Sequence, residues 1–202
     1  QREPAESLGY TVVDPPSIIA THLTEIIRQH IAELLTRQDV QNLTNNLKET
    51  NPSIVEELIP KLLGLGDVQK ILQNLLQEVI SIRDLLTIFE TLADYAATTR
   101  DPDILTEYAR QSLKRAIFAR YFPANETTSV VTLDPQVEQE IMAKVKQTEQ
   151  RAYLTIAPEK TKAIIESVRT EIGKLESLGK NPIIITSPIV RMYFKRLTED
   201  YF

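Results

Sequence analysis

The chain contains no cysteine. Disulfides, thiolate metal sites and thiol redox chemistry are therefore excluded. Two histidines, His22 and His30, are the only imidazoles. They lie eight residues apart on one predicted helix, about 80° apart around its axis, not at the i, i+4 spacing of a helical metal site. Glycine is scarce, with five residues in 202. Gly64 and Gly66 follow no predicted strand, so they read as helix breakers rather than as a phosphate- or dinucleotide-binding turn. No P-loop, nucleophile elbow or paired catalytic carboxylates are found, and acidic pairs such as Glu56-Glu57 sit at helix starts or on polar faces. The sequence therefore predicts no enzyme, no cofactor and no metal site. Basic excess is missing too: residues 1–122 hold 12 basic and 17 acidic side chains, and residues 123–202 hold 11 of each. Nucleic acid is not an expected partner. No apolar run approaches the ~18 residues of a membrane span.

What is present is ordinary globular composition, 42% hydrophobic and 25% charged, in a chain long enough for one or two domains. "YTVV" reads as a short strand ended by Pro15 and Pro16. Ser17 is a candidate N-cap for an amphipathic helix from Ile18 to about Leu35, with Ile19, Leu23, Ile26, Ile27, Ile31 and Leu34 on its apolar positions. Short helical segments follow, each with its own start signal. Thr36 and Asp39 form a capping-box variant. Pro52 follows Asn51, Asp67 is a candidate cap, Ser81 and Asp84 repeat the capping pattern, and Asp101-Pro102 opens a segment running to about Tyr121. After Pro123 the pattern changes. "TSVVTL", "AYLTI" and "PIIIT" read as strands, alternating with helices that start at Asp134-Pro135, Pro158 and Ser187-Pro188. The first of these runs to about Gln147, and the second closes near Gly179.

The expected fold class is α+β and multidomain. Residues 1–34 form a strand-helix remnant of an upstream subdomain, residues 35–122 a compact helical domain, and residues 123–202 a small α/β domain. The last helix would be followed by a strand, so the α/β domain is expected to be incomplete, with its C-terminus truncated or disordered. A start at Gln1 leaves room for an upstream membrane segment.

Two surfaces stand out as interaction candidates. In "ITSPIVRMYFKR" a strand runs into the helix start at Ser187, and Arg191, Lys195 and Arg196 add positive charge. This fits a small anion-binding or enzymatic module, or a protein contact; it also fits an N-cap with solvated basic side chains. At the other end, Val13 and Thr21 flank the start of the first helix. They could line a shallow groove, or Val13 could pack in a core while Thr21 bonds to backbone.

The segments "GYTVVDPPSIIATHLTEIIRQHIAELLTRQDVQNL", "VQKILQNLLQEVISIRDLLTIFETLADYA" and "PIIITSPIVRMYFKRLTEDYF" closely resemble the cytoplasmic region of the flagellar type III export-gate family, FlhA, which extends to the gate proteins of virulence type III secretion systems. The likeness covers nearly the whole chain. It implies a non-enzymatic component of the protein export apparatus at the cytoplasmic face of the bacterial inner membrane, attached through an absent N-terminal membrane region. It implies a nine-membered ring, contacts with other export-apparatus proteins, and docking of export chaperone-substrate complexes. The family's chaperone site is a hydrophobic dimple between its first two cytoplasmic subdomains. Val13 and Thr21 match positions lining it, while the family's Asp and Phe at that site lie upstream. The resemblance thus assigns this chain one wall of the docking site. An unrelated helical interaction scaffold is the remaining alternative.

Overall fold

The computed structural model describes residues 13–122, 127–147 and 152–202. Ten helices and four short strands occur among them. The chain is mostly helical, and its strands are only two or three residues long. The architecture is thus helical, with two small sheets. Contacts divide it into two compact units, residues 1–85 and 86–202.

The first unit holds α1 (Pro15–Leu34), α2 (Arg37–Thr50), α3 (Pro52–Leu58) and α4 (Leu65–Gln77). Of the expected first strand, residues 10–12 lie outside the described residues, and Val13 and Asp14 are irregular. The prolines open α1. Asp14, not Ser17, is the N-cap, and Ser17 donates to it from both its backbone N–H and its hydroxyl. Pro15 and Pro16 occupy first-turn positions, where a missing N–H costs nothing. Thr36 and Asp39 complete the capping box of α2. Asp67 is not the cap of α4 but its third residue, and its carboxylate accepts the N–H of the N-cap Gly64 at 2.9 Å. Gly66 lies inside the first turn, and the end of the flexible Arg37 side chain passes 2.7 Å from where a Cβ would stand. Val40, Leu58, Val68, Ile71, Leu72 and Leu75 are fully buried.

Helix α4 ends without glycine. The Val79 N–H donates to the Leu76 carbonyl and the Ile80 N–H to the Leu75 carbonyl. This is a Schellman closure, with Val79 at φ 56° and Ile80 buried behind it.

The second unit contains α5 (Leu85–Ala96), α6 (Pro102–Ser112), α7 (Lys114–Tyr121), β1 (Val131–Thr132), α8 (Pro135–Ala143), β2 (Val145–Gln147), β3 (Ala152–Leu154), α9 (Pro158–Ser177), β4 (Ile184–Ile185) and α10 (Pro188–Thr198). Helix α5 starts later than Ser81-Asp84 suggests; Ser81 instead accepts the Arg83 N–H at 3.4 Å. The segment after Asp101-Pro102 breaks at Leu113 into α6 and α7. The helix from Pro135 stops at Ala143, and Val145–Gln147 turns back as β2, antiparallel to β3. β1 and β4 pair in parallel, Val131 opposite Ile184. Ile141, Val168, Val190, Met192, Tyr193 and Phe194 form one buried cluster. At roughly 1.5–3 kcal/mol per large apolar side chain, this cluster is the main force holding α8, α9 and α10 together. Helix α9 closes at Gly179, φ 68°, with a Schellman closure like that of α4.

Candidate interaction surfaces

Helix α1 is 20 residues long and buries a single residue, Ala32. Its C-terminal end is fixed on α4, where Gln69 and Gln73 donate from their side-chain amides to the Leu35 carbonyl at 3.0 and 3.2 Å. Leu23 and Ala32 are nine positions apart, half a turn around the axis. The apolar stripe around Leu23 therefore faces away from the buried side. Ile19, Leu23 and Leu34 are more than half exposed, and Ile26 and Ile27 more than two-fifths. Val13 is 49% exposed at the start of this helix, and Thr21 is exposed two turns in. The sequence identified the stripe; here it forms an open apolar face.

The Asp14 carboxyl is held below the usual carboxylate range, first by the Ser17 hydroxyl and then by the Ser17 N–H. His30 and Glu33 meet at 3.1 Å on the same helix. Among the described residues no group of three or more His, Cys, Asp or Glu side chains is arranged to hold a metal ion. None of the described helices is long and apolar enough to cross a membrane.

The Ser187 region is organised differently. Ser187 is the N-cap of α10, but its side chain makes no cap bond. Its backbone N–H donates instead to Glu138 Oε1 of α8 at 2.9 Å. A carboxylate of the chain itself thus occupies the helix start, the position an anion would favour. The basic side chains turn elsewhere. Arg191 donates to Glu107 at 2.5 Å, with the two side chains 22% and 10% exposed. Arg196 donates to Asp103, at 40% and 38% exposure. Both partners lie on α6. Lys195 is half-buried and also has an interaction partner. Ser187, Arg191, Lys195 and Arg196 are therefore not gathered around one site. Two of them form a two-rung clasp between α10 and α6, which the sequence alone did not reveal. The signal was a spacing match: Asp103 and Glu107 lie four apart on α6, and Arg191 and Arg196 five apart on α10. Tyr193 sits beside the clasp, and burial raises its hydroxyl pKa, with Asp101 and Asp103 adding to the rise and Arg196 opposing it.

A groove of about 410 Å³ lies between α8, β3 and the start of α9, lined by Glu140, Lys144, Thr155, Ile156, Ala157 and Lys160. Lys160 is ion-paired to Glu140 at its wall.

The FHIPEP family profile matches residues 1–202. The chain belongs to the FHIPEP family. It is 48% identical over 201 residues to the flagellar biosynthesis protein FlhA of Bacillus subtilis, covering 100% of this chain and 30% of that protein. The corresponding protein of Escherichia coli is 33% identical over 195 residues, with 96% and 28% covered. The chain thus spans less than a third of the length of these relatives. Among solved structures it resembles the Chlamydia pneumoniae CdsV protein in complex with CdsO, with a TM-score of 0.84 and 32% identity over 99% of this chain and 58% of that one. It also resembles SctV-C of EPEC, solved as a nonamer, with a TM-score of 0.79 and 32% identity over 91% and 55%. Membership of this export-gate family means that the chain is not an enzyme.

Proposed function

We propose that this FHIPEP chain is a cytoplasmic part of a flagellar type III export gate, working as a ring-forming docking platform for export chaperone-substrate complexes. The observation that carries the reading is the chain's end-to-end likeness to FlhA and to type III cytosolic domains, and the open apolar face of α1 is the surface on which the upstream subdomain of this reading would pack. An exposed apolar face of this extent marks a contact surface. In this reading residues 1–34 belong with an upstream subdomain, 35–122 are a helical subdomain, and 123–202 are an α/β subdomain. Val13 and Thr21 contribute one wall of the docking site. Partners are chaperone-substrate complexes, other export-apparatus proteins and further copies of the chain. The place of action is the cytoplasmic face of the cell membrane. Weak docking suits a platform that must release its cargo: a micromolar complex amounts to about −8 kcal/mol.

The test is a titration of a chaperone loaded with its export substrate against this chain and against the chain extended upstream by the preceding subdomains, each with and without Val13→Arg. The extended chain is expected to bind and to lose about tenfold or more with Val13→Arg, since a cation would be buried against an apolar wall. Equal binding by the short chain, insensitive to position 13, would move docking to residues 35–202. An anion-binding module at Ser187 is not favoured, because Glu138 already fills that helix start.

A further inference from the structure

Helix α7 buries none of its residues. At eight residues it is shorter than the ~12–15 at which isolated helices become even marginal in water. Yet it displays a worked aromatic surface. Phe118 and Phe122 stack with centroids 4.4 Å apart, Phe118 is 59% exposed and Tyr121 44%, and the Arg120 guanidinium lies 5.4 Å from the Tyr121 ring centre. Exposed aromatics interleaved with arginine are the composition of interface centres.

Its charge is out of character with the chain before it. Residues 110–122 carry four basic side chains and no acidic one, whereas residues 1–109 carry eight basic and seventeen acidic. Lys114 and Arg115 form no ion pair among the described residues. The complementary surface is on α5. Glu90 and Asp94 are exposed one turn apart, a like-charge spacing that is unfavourable by itself. Neither is ion-paired among the described residues. Next to them Tyr95, 39% exposed, stacks on Tyr108 at 3.9 Å. An acidic, aromatic face and a basic, aromatic face thus occur on the same chain.

We propose that α7 docks on the α5 face of a second copy of this chain, in a head-to-tail contact. The proposal rests on the ring-platform reading and specifies its surfaces. A nonameric ring, the state in which the related SctV-C and EscV cytosolic domains were solved, has neighbours meeting through two different faces, so a ring subunit needs such a complementary pair.

The test is a charge swap followed by sedimentation velocity at low ionic strength. One variant carries Lys114→Glu and Arg115→Glu; the other carries Glu90→Lys and Asp94→Lys. The new acids at positions 114 and 115 fall in the first turn of α7 and the new lysine at 94 in the last turn of α5, where the dipole favours them, and Glu90 is exposed, so the folds are expected to persist, with circular dichroism as the check. The parent chain is expected to self-associate, more weakly as salt rises. Each variant alone is expected to associate roughly tenfold more weakly or worse, because like charges meet. The 1:1 mixture is expected to recover most of the association, since every contact between the two variants again joins opposite charges, although a closed ring of nine must keep one contact between like variants. If the parent associates and either variant alone associates as strongly, the α7–α5 contact is wrong and the ring reading stands. A parent that stays monomeric at every concentration overturns the contact together with ring formation by this chain, while the chaperone titration still decides docking.

Discussion

Replacing Glu107 by alanine tests whether burial, rather than the mere presence of ion pairs, sets the strength of the clasp between α6 and α10. The two rungs supply their own control. Arg191–Glu107 is 22% and 10% exposed, whereas Arg196–Asp103 is 40% and 38% exposed. An exposed pair contributes about 0.2–1 kcal/mol. Breaking a buried pair by removing one partner costs about 3–5 kcal/mol, because it strands the other charge. The Glu107 pair lies between these limits, so Glu107→Ala should cost about 2 kcal/mol and Asp103→Ala less than ~1 kcal/mol. Hydrogen exchange of the α10 amides is the suitable assay, since it reports local opening without assuming that the whole chain unfolds in one step. At about 1.4 kcal/mol per tenfold, 2 kcal/mol means roughly 30-fold faster exchange across α10. Double-mutant cycles with Arg191→Ala and Arg196→Ala should give coupling of about 1.5 and ~0.5 kcal/mol. Equal effects at the two rungs would refute the burial argument and make the clasp a surface decoration.

Gly179→Ala should destabilise by about 1 kcal/mol in urea unfolding; nothing lies within 4 Å of the added Cβ, so the cost is the left-handed backbone alone. At the corresponding position of α4, Val79→Gly relieves that strain but loosens the unfolded chain, so its gain should stay below about 1 kcal/mol. Asp39 is held below its ordinary value of 3.8, first by the Thr36 hydroxyl and then by the Thr36 N–H. Its folded pKa is the lower one, so its contribution is present above pH 3.8 and lost as pH falls through the folded value. Helicity followed by circular dichroism on acidification should therefore drop less steeply in Asp39→Asn.

Most helix starts were legible because they are local chemistry. Thr36 with Asp39, Asp101-Pro102, Asp134-Pro135 and Pro158 each satisfy or remove first-turn donors within a few residues. The misreadings came from the same logic with two local answers. Asp14 and Ser17 can each cap α1, and the aspartate accepts two hydrogen bonds from Ser17. Gly64 and Asp67 divide the capping of α4 between them. β2 was missed because Val145–Gln147 has no alternating run of its own and exists by pairing with β3. The interaction surfaces were less legible. Periodicity located the stripe of α1 but cannot tell a face covered by protein from an open one. The basic side chains at Arg191 and Arg196 looked available until their carboxylates, 84 and 93 residues away, came into view. The isolation of α7 left no trace in a sequence that reads as one helix from Pro102 to Tyr121.

The bond from Ser187 to Glu138 bears on the order in which this chain can mature. Helices α1 and α8 carry their starting carboxylates within three residues, at Asp14 and Asp134, so each can begin as its own segment leaves the ribosome. Helix α10 draws its carboxylate from 49 residues upstream. During synthesis that partner has already emerged and can wait on α8. In refolding from denaturant both must meet by closing a long loop. Helix α10 is therefore a segment whose completion should lag in the test tube, and one for which vectorial synthesis offers an advantage.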